Sequence, residues 1–151
     1  PQRGEVLHFA EGFTVINDSY NSNPTALLSM VKTLVEGSSS GQRKIVVAGE
    51  MLELGPEAAK IHRETGEEIA KSDVDMLIGV RGFGQQLVDG AISAGLFDSQ
   101  FVADSGAAGE IVASLVTKGD VILVKGSRGV RTEKVIEKLL ENFALEDTAK
   151  A

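Results

Sequence analysis

The sequence predicts an α/β fold: a Rossmann-like, mostly parallel sheet with helices on both faces and an antiparallel hairpin strand at its N-terminal side. Three observations carry this. Apolar runs of strand length stand at 44–48, 76–80, 100–103 and 121–124. The stretches between them repeat their apolar residues with helical period. Such alternation implies right-handed β–α–β units, whose crossover helices cover both faces of a parallel sheet. Finally, 151 residues with 42% hydrophobic and 25% charged content suffice for one domain, 1–151, with a buried core.

The elements follow in order. Segment 5–10 alternates around Val6 and Phe9 and meets 13–18 across Glu11-Gly12, a hairpin turn. Pro24 opens the first helix where its missing N–H costs nothing, and Asn23 stands at the cap position. Leu27, Leu28, Val31, Leu34 and Val35 give that helix a single apolar face. Gly37 ends it, and Ser38-Ser-Ser-Gly41 makes the exit loop. Further helices are expected at 56–71, 83–94, 105–117 and 132–143, and a frayed tail at 146–151.

Composition narrows the function classes. With no cysteine there is neither a disulfide framework nor a thiolate metal site, and the cytoplasm is the expected compartment. A net charge of −7 argues against a nucleic-acid surface, because positive charge gathers only at Arg43-Lys44 and around Arg128 and Arg131. One Tyr and no Trp leave little for base stacking. No apolar run reaches the length of a membrane span. The expected molecule is a soluble monomer with neither nucleic-acid nor membrane partners.

Chemistry concentrates at strand ends. Asn17-Asp-Ser-Tyr-Asn-Ser-Asn-Pro24 places seven consecutive polar side chains where the second strand gives way to a helix. In a parallel sheet all carboxyl ends share one edge, the usual seat of ligands. The loops Gly49-Glu-Met-Leu-Glu-Leu-Gly55 and Lys125-Gly-Ser-Arg-Gly129 also follow strands, so the three should converge on one rim. In the second of these loops, glycines admit close backbone approach, and Lys125 and Arg128 supply charge for an anion or carboxylate. Solvated basic residues on a glycine turn are its plain alternative.

Other features read as structural. No G-x-x-x-x-G-K-[ST] phosphate loop occurs, and the first strand–helix turn lacks G-x-G-x-x-G. Gly79-Val-Arg-Gly-Phe-Gly84 reads as a tight turn. His62 lies on the stripe Ala58, Ile61, Thr65 and Ile69 and is expected to be a hydrogen-bonded core histidine. His8 has no acid or nucleophile near it in sequence. Two histidines without ligand spacing give no metal site. Glu50 and Glu53 either chelate a cation from the rim or cap the helix beginning near Pro56.

Taken together, the Asn17–Pro24 and 49–55 motifs, His62 and Arg63, and Val124-Lys-Gly-Ser-Arg-Gly129 with Glu133-Lys-Val135 resemble the carboxyl-terminal domain of the Mur ligase family, in its D-Ala-D-Ala-adding branch. The likeness covers nearly the whole chain from Pro1-Gln-Arg3, which resembles the family's arginine-bearing hinge. It departs from the common pattern at Gln2, where Gly is frequent, and at Glu50, where Asp is. The chain is accordingly expected to be a fragment. The resemblance implies an enzyme that uses ATP and Mg2+ to activate the carboxylate of UDP-MurNAc-tripeptide as an acyl phosphate, which the amine of D-Ala-D-Ala attacks. ATP and Mg2+ would be held mainly by a central domain bearing the phosphate loop, and an N-terminal domain would hold the UDP-sugar. The present domain would then be inactive alone.

By motif, Asp18 would take the ribose hydroxyls of ATP, since a carboxylate accepts from a vicinal diol. Arg3 would be catalytic, reaching the ribose or phosphates from the hinge on closure. Tyr20, Asn21 and Asn23 would line the dipeptide pocket, unless Asn23 is occupied as a cap. Lys125, Ser127 and Arg128 are the candidates for the dipeptide carboxylate. Rival readings are another Mur-type or folylpolyglutamate-type ligase, a non-catalytic α/β module such as a phospho-acceptor receiver, and a nicotinamide dehydrogenase domain.

Overall fold

A computed structural model describes residues 5–19, 22–126 and 129–146. Residues 1–4, expected to be a hinge remnant, and residues 147–151 of the expected tail lie outside the described residues. Six strands form one sheet, in the order β1-β2-β6-β3-β4-β5. They are β1 (Glu5–His8), β2 (Thr14–Asp18), β3 (Lys44–Gly49), β4 (Met76–Val80), β5 (Ser99–Val102) and β6 (Val121–Lys125). β1 pairs antiparallel with β2, as the hairpin reading expects, and the other pairings are parallel. Every residue of β3, β4 and β6 is buried, whereas the edge strands β1 and β5 stay partly exposed. Unbroken apolar runs such as Val121-Ile-Leu-Val124 therefore mark strands covered on both faces.

The covering helices are α1 (Pro24–Gly37), α2 (Ala58–Lys71), α3 (Gly84–Ser93), α4 (Ser105–Leu115) and α5 (Glu133–Asn142). One face buries Val15, Ile45, Val47, Ile122 and Val124 with Val112, Val135 and Leu139, residues of α4 and α5. The opposite face buries Val46, Leu77 and Leu123 with Leu27, Ile69 and Leu87, residues of α1, α2 and α3. Alternate residues of one strand thus supply both cores. Helices α2 and α3 touch backbone to backbone: a Cβ added at Gly66 would sit 2.9 Å from the Leu87 carbonyl carbon and overlap its oxygen.

Gly37 ends α1 as expected, and Ser38 beyond it donates its Oγ to the Leu34 carbonyl at 2.7 Å. Two boundaries differ from expectation. α4 stops at Leu115, where the Asp120 carboxylate accepts the Thr117 N–H and turns the chain. Glu146, expected to fray, donates its N–H to the His8 carbonyl at 2.8 Å, so the start of the tail pairs along the outer edge of the hairpin.

Candidate functional site

The sheet topology builds the site. α1 leaves β2 towards one face and α5 leaves β6 towards the other, yet β2 and β6 are neighbours. The two connections thus diverge at the carboxyl ends of these strands, the usual ligand seat of an open α/β sheet. Asp18 ends β2 and Lys125 ends β6, and they are register partners. Lys125 Nζ lies 3.3 Å from Asp18 Oδ2, with each side chain only 3% exposed. The Gly126 N–H donates to the Asp18 carbonyl at 3.4 Å, so the parallel ladder runs on into the glycine loop. The sequence treats Asp18 and Lys125 as serving different ligands; the structure brings them together as one buried ion pair.

Asn23 is occupied as a cap, its Oδ1 accepting the Ala26 N–H at 2.8 Å. Two nearby polar atoms are buried without a hydrogen-bond partner among the described residues, Asn17 Oδ1 and Ser22 Oγ. Arg3, Tyr20, Asn21, Ser127 and Arg128 lie outside the described residues.

Beside these strand ends, the loop after β3 is held by His62. Its Nε2 accepts the Met51 N–H at 2.9 Å and its Nδ1 faces the Ala58 carbonyl at 2.7 Å. Those partners fix the neutral imidazole with its proton on Nδ1. Burial pushes the pKa below the ordinary 6.5, against smaller opposing effects of the Ala58 carbonyl and the Glu50 charge. Phe83 stacks on the ring at 5.4 Å. His62 is thus the core histidine its stripe predicts. His8 is exposed and meets Thr14 Oγ1 at 3.3 Å.

Glu50 does not cap the helix after Pro56. Its Oε2 accepts the Phe83 N–H at 3.0 Å, at the start of α3. Gly82 permits this, since a Cβ there would overlap the Glu50 carboxylate. Glu53 adopts a left-handed backbone, φ 62°. Among the described residues no three His, Cys, Asp or Glu side chains gather as metal ligands. Arg43 and Lys44 sit at the other edge of the sheet. Arg43 grips Asp120 at 2.7 Å, and that hydrogen bond raises its pKa; Lys44 lies 3.4 Å from Asp73 and 3.7 Å from Asp75. Both basic residues are therefore neutralised in place.

A family model for the Mur ligase, glutamate ligase domain, matches residues 2–128. The chain belongs to this Mur ligase family. It is 29% identical over 143 residues to the UDP-N-acetylmuramoyl-tripeptide–D-alanyl-D-alanine ligase of Bacillus subtilis strain 168, covering 93% of the chain and 31% of that relative. With the ligase of the same name from Escherichia coli K12, identity is 34% over 144 residues, covering 94% of the chain and 30% of the relative. The crystal structure of the MurF ligase from Thermotoga maritima in complex with ADP superposes with a TM-score of 0.76 at 26% identity, covering 93% of this chain and 31% of that one. The chain spans under a third of the length of these relatives.

Within this Mur ligase domain two participants escape the sequence reading. Thr132, fully buried with an Oγ1 that has no hydrogen-bond partner among the described residues, packs where a Cβ on Gly126 would stand. Arg81 joins three rim loops through its backbone and guanidinium. Arg81 stands inside the glycine-rich turn 79–84, but its partners Gly129 and Glu50 come from other loops, and Thr132 is marked by no motif.

Proposed function

We propose that this domain is the carboxyl-terminal part of an ATP-dependent amide ligase that adds D-Ala-D-Ala to UDP-MurNAc-tripeptide. The observation that carries the reading is the Asp18–Lys125 pair, seated at the carboxyl ends of β2 and β6, each end belonging to one of the family-like motifs. Asp18 offers a fixed carboxylate to the ribose diol of ATP, and Lys125 holds that carboxylate in place and adds positive charge. Ser127 and Arg128 follow on the same loop and are assigned to the dipeptide carboxylate, with Arg as the bidentate fork. Tyr20 and Asn21 are assigned to the dipeptide pocket. Asn23 shapes that pocket from its cap position. Arg3, at the hinge, is assigned to the nucleotide, where it bears on developing charge only when the domains close.

ATP supplies the phosphoryl group that activates the tripeptide carboxylate, with Mg2+ and most nucleotide contacts assigned to a central domain. The work of this chain is to present the amine and, on closure, to exclude water that would hydrolyse the acyl phosphate.

The test compares the 151-residue chain with a full-length ligase carrying it. Phosphate release dependent on ATP, UDP-MurNAc-tripeptide and D-Ala-D-Ala should occur with the full-length protein and not with the chain alone. Turnover by the chain alone would refute the division of labour. A full-length protein that accepts only a different amine would refute the dipeptide assignment.

A further inference from the structure

We propose that Arg81 is a positioning residue that fixes the far end of the glycine loop and, through it, the seat of the dipeptide carboxylate. The inference rests on the function proposed above. Arg81 follows β4, and its backbone N–H donates to the Val102 carbonyl at 2.8 Å, tying its turn to β5. Its Nη1 donates to the Gly129 carbonyl at 2.6 Å, and its Nε lies 3.5 Å from Glu50 Oε1. The loops after β3, β4 and β6 therefore meet on one guanidinium.

The consequence for the loop is specific. Its near end is anchored at Gly126, whose N–H donates to the Asp18 carbonyl, and its far end at Gly129 by Arg81. Two residues of sequence, Ser127 and Arg128, separate the anchors. A planar guanidinium can hold a carbonyl and a carboxylate at once, whereas an ammonium is a single point charge.

Arg81 has φ 69°, in the left-handed region that glycine and asparagine enter most easily. A long charged side chain on a strained backbone persists only where the surroundings hold it. Here the Gly129 carbonyl, Glu50 and Val102 do so. Glu50 is itself fixed by the Phe83 N–H, and its side chain is only 12% exposed, so the anchor behind Arg81 is rigid.

Two measurements test this. In the 151-residue chain, Arg81→Ala should speed amide hydrogen exchange across 126–131 by at least about tenfold while leaving β3 and β6 unchanged. In the full-length ligase the same change should raise the KM for D-Ala-D-Ala about tenfold, with the KM values for ATP and UDP-MurNAc-tripeptide moving less than about twofold. Arg81→Lys, which keeps one donor, should fall between Arg81→Ala and wild type. Should Arg81→Ala fail to fold, Arg81→Lys and Arg81→Gln give the same two readouts. An unmoved dipeptide KM, or three KM values rising together with a lowered melting temperature, overturns the proposal. A wild-type ligase that uses another amine refutes the proposed function alone, and the KM for that amine then becomes the readout for Arg81.

Discussion

Replacing Lys125 with methionine would remove the ammonium and leave the Asp18 carboxylate buried without its counter-charge. At 3.3 Å, and with an effective dielectric of about 20, the lost attraction is about 5 kcal/mol. Both side chains are 3% exposed, so solvent screening takes little from that figure. It agrees with the roughly 3–5 kcal/mol lost when one member of a buried pair is deleted. Urea unfolding followed by circular dichroism reads it directly: with a slope of about 2 kcal/mol per molar, the midpoint should fall by about 2 M. The double variant Asp18→Asn/Lys125→Met removes both charges and should regain most of the loss, because a buried pair contributes little net stability over neutral groups. In a full-length ligase that double variant should fold normally yet bind ATP poorly, separating the pair's structural role from its nucleotide role. A midpoint shift below about 0.5 M for Lys125→Met would refute the reasoning, since the ammonium would then not be holding Asp18.

Other perturbations follow from the same geometry. His62→Ala leaves the buried Met51 N–H unpaired and opens a cavity beneath Phe83, so stability should fall by about 2–4 kcal/mol in denaturant titration. Because burial lowers the folded pKa of His62 below its unfolded 6.5, the unfolded chain takes up the proton first as pH drops. The histidine's contribution is whole above 6.5 and declines below it until the folded pKa is passed; wild type should lose stability as pH falls below 6.5, with a shallower slope in His62→Gln. Gly66→Ala would drive a methyl into the Leu87 carbonyl and should lower the melting temperature by at least about 5 °C, although alanine is the better helix former.

Local signals carried much of the fold into view. Asn23-Pro24 specified a helix start because cap and proline act within one turn, and the structure has that cap. Apolar runs at 44–48, 76–80 and 121–124 specified buried strands for the same reason of short range. Strand order is another matter. That β6, last in the chain, inserts between β2 and β3 depends on pairings between distant segments, which no local pattern encodes. The site divides along the same line. Polar strand ends marked the rim, but the contact between Asp18 and Lys125 required the β2–β6 register. Arg81 looked like a turn residue because its partners, Gly129 and Glu50, come from other loops. His62 was placed in the core by its stripe, while its bond to Met51 depended on how the loop after β3 folds back.

The most direct test of the account is a crystal structure of a full-length ligase carrying this domain, bound to a non-hydrolysable ATP analogue and D-Ala-D-Ala. The nucleotide ribose should contact Asp18, and the dipeptide carboxylate should meet the loop after β6. A dipeptide lodged instead at the opposite edge, among Ser38, Lys44 and Asp75, or held wholly by the neighbouring domains, would contradict it.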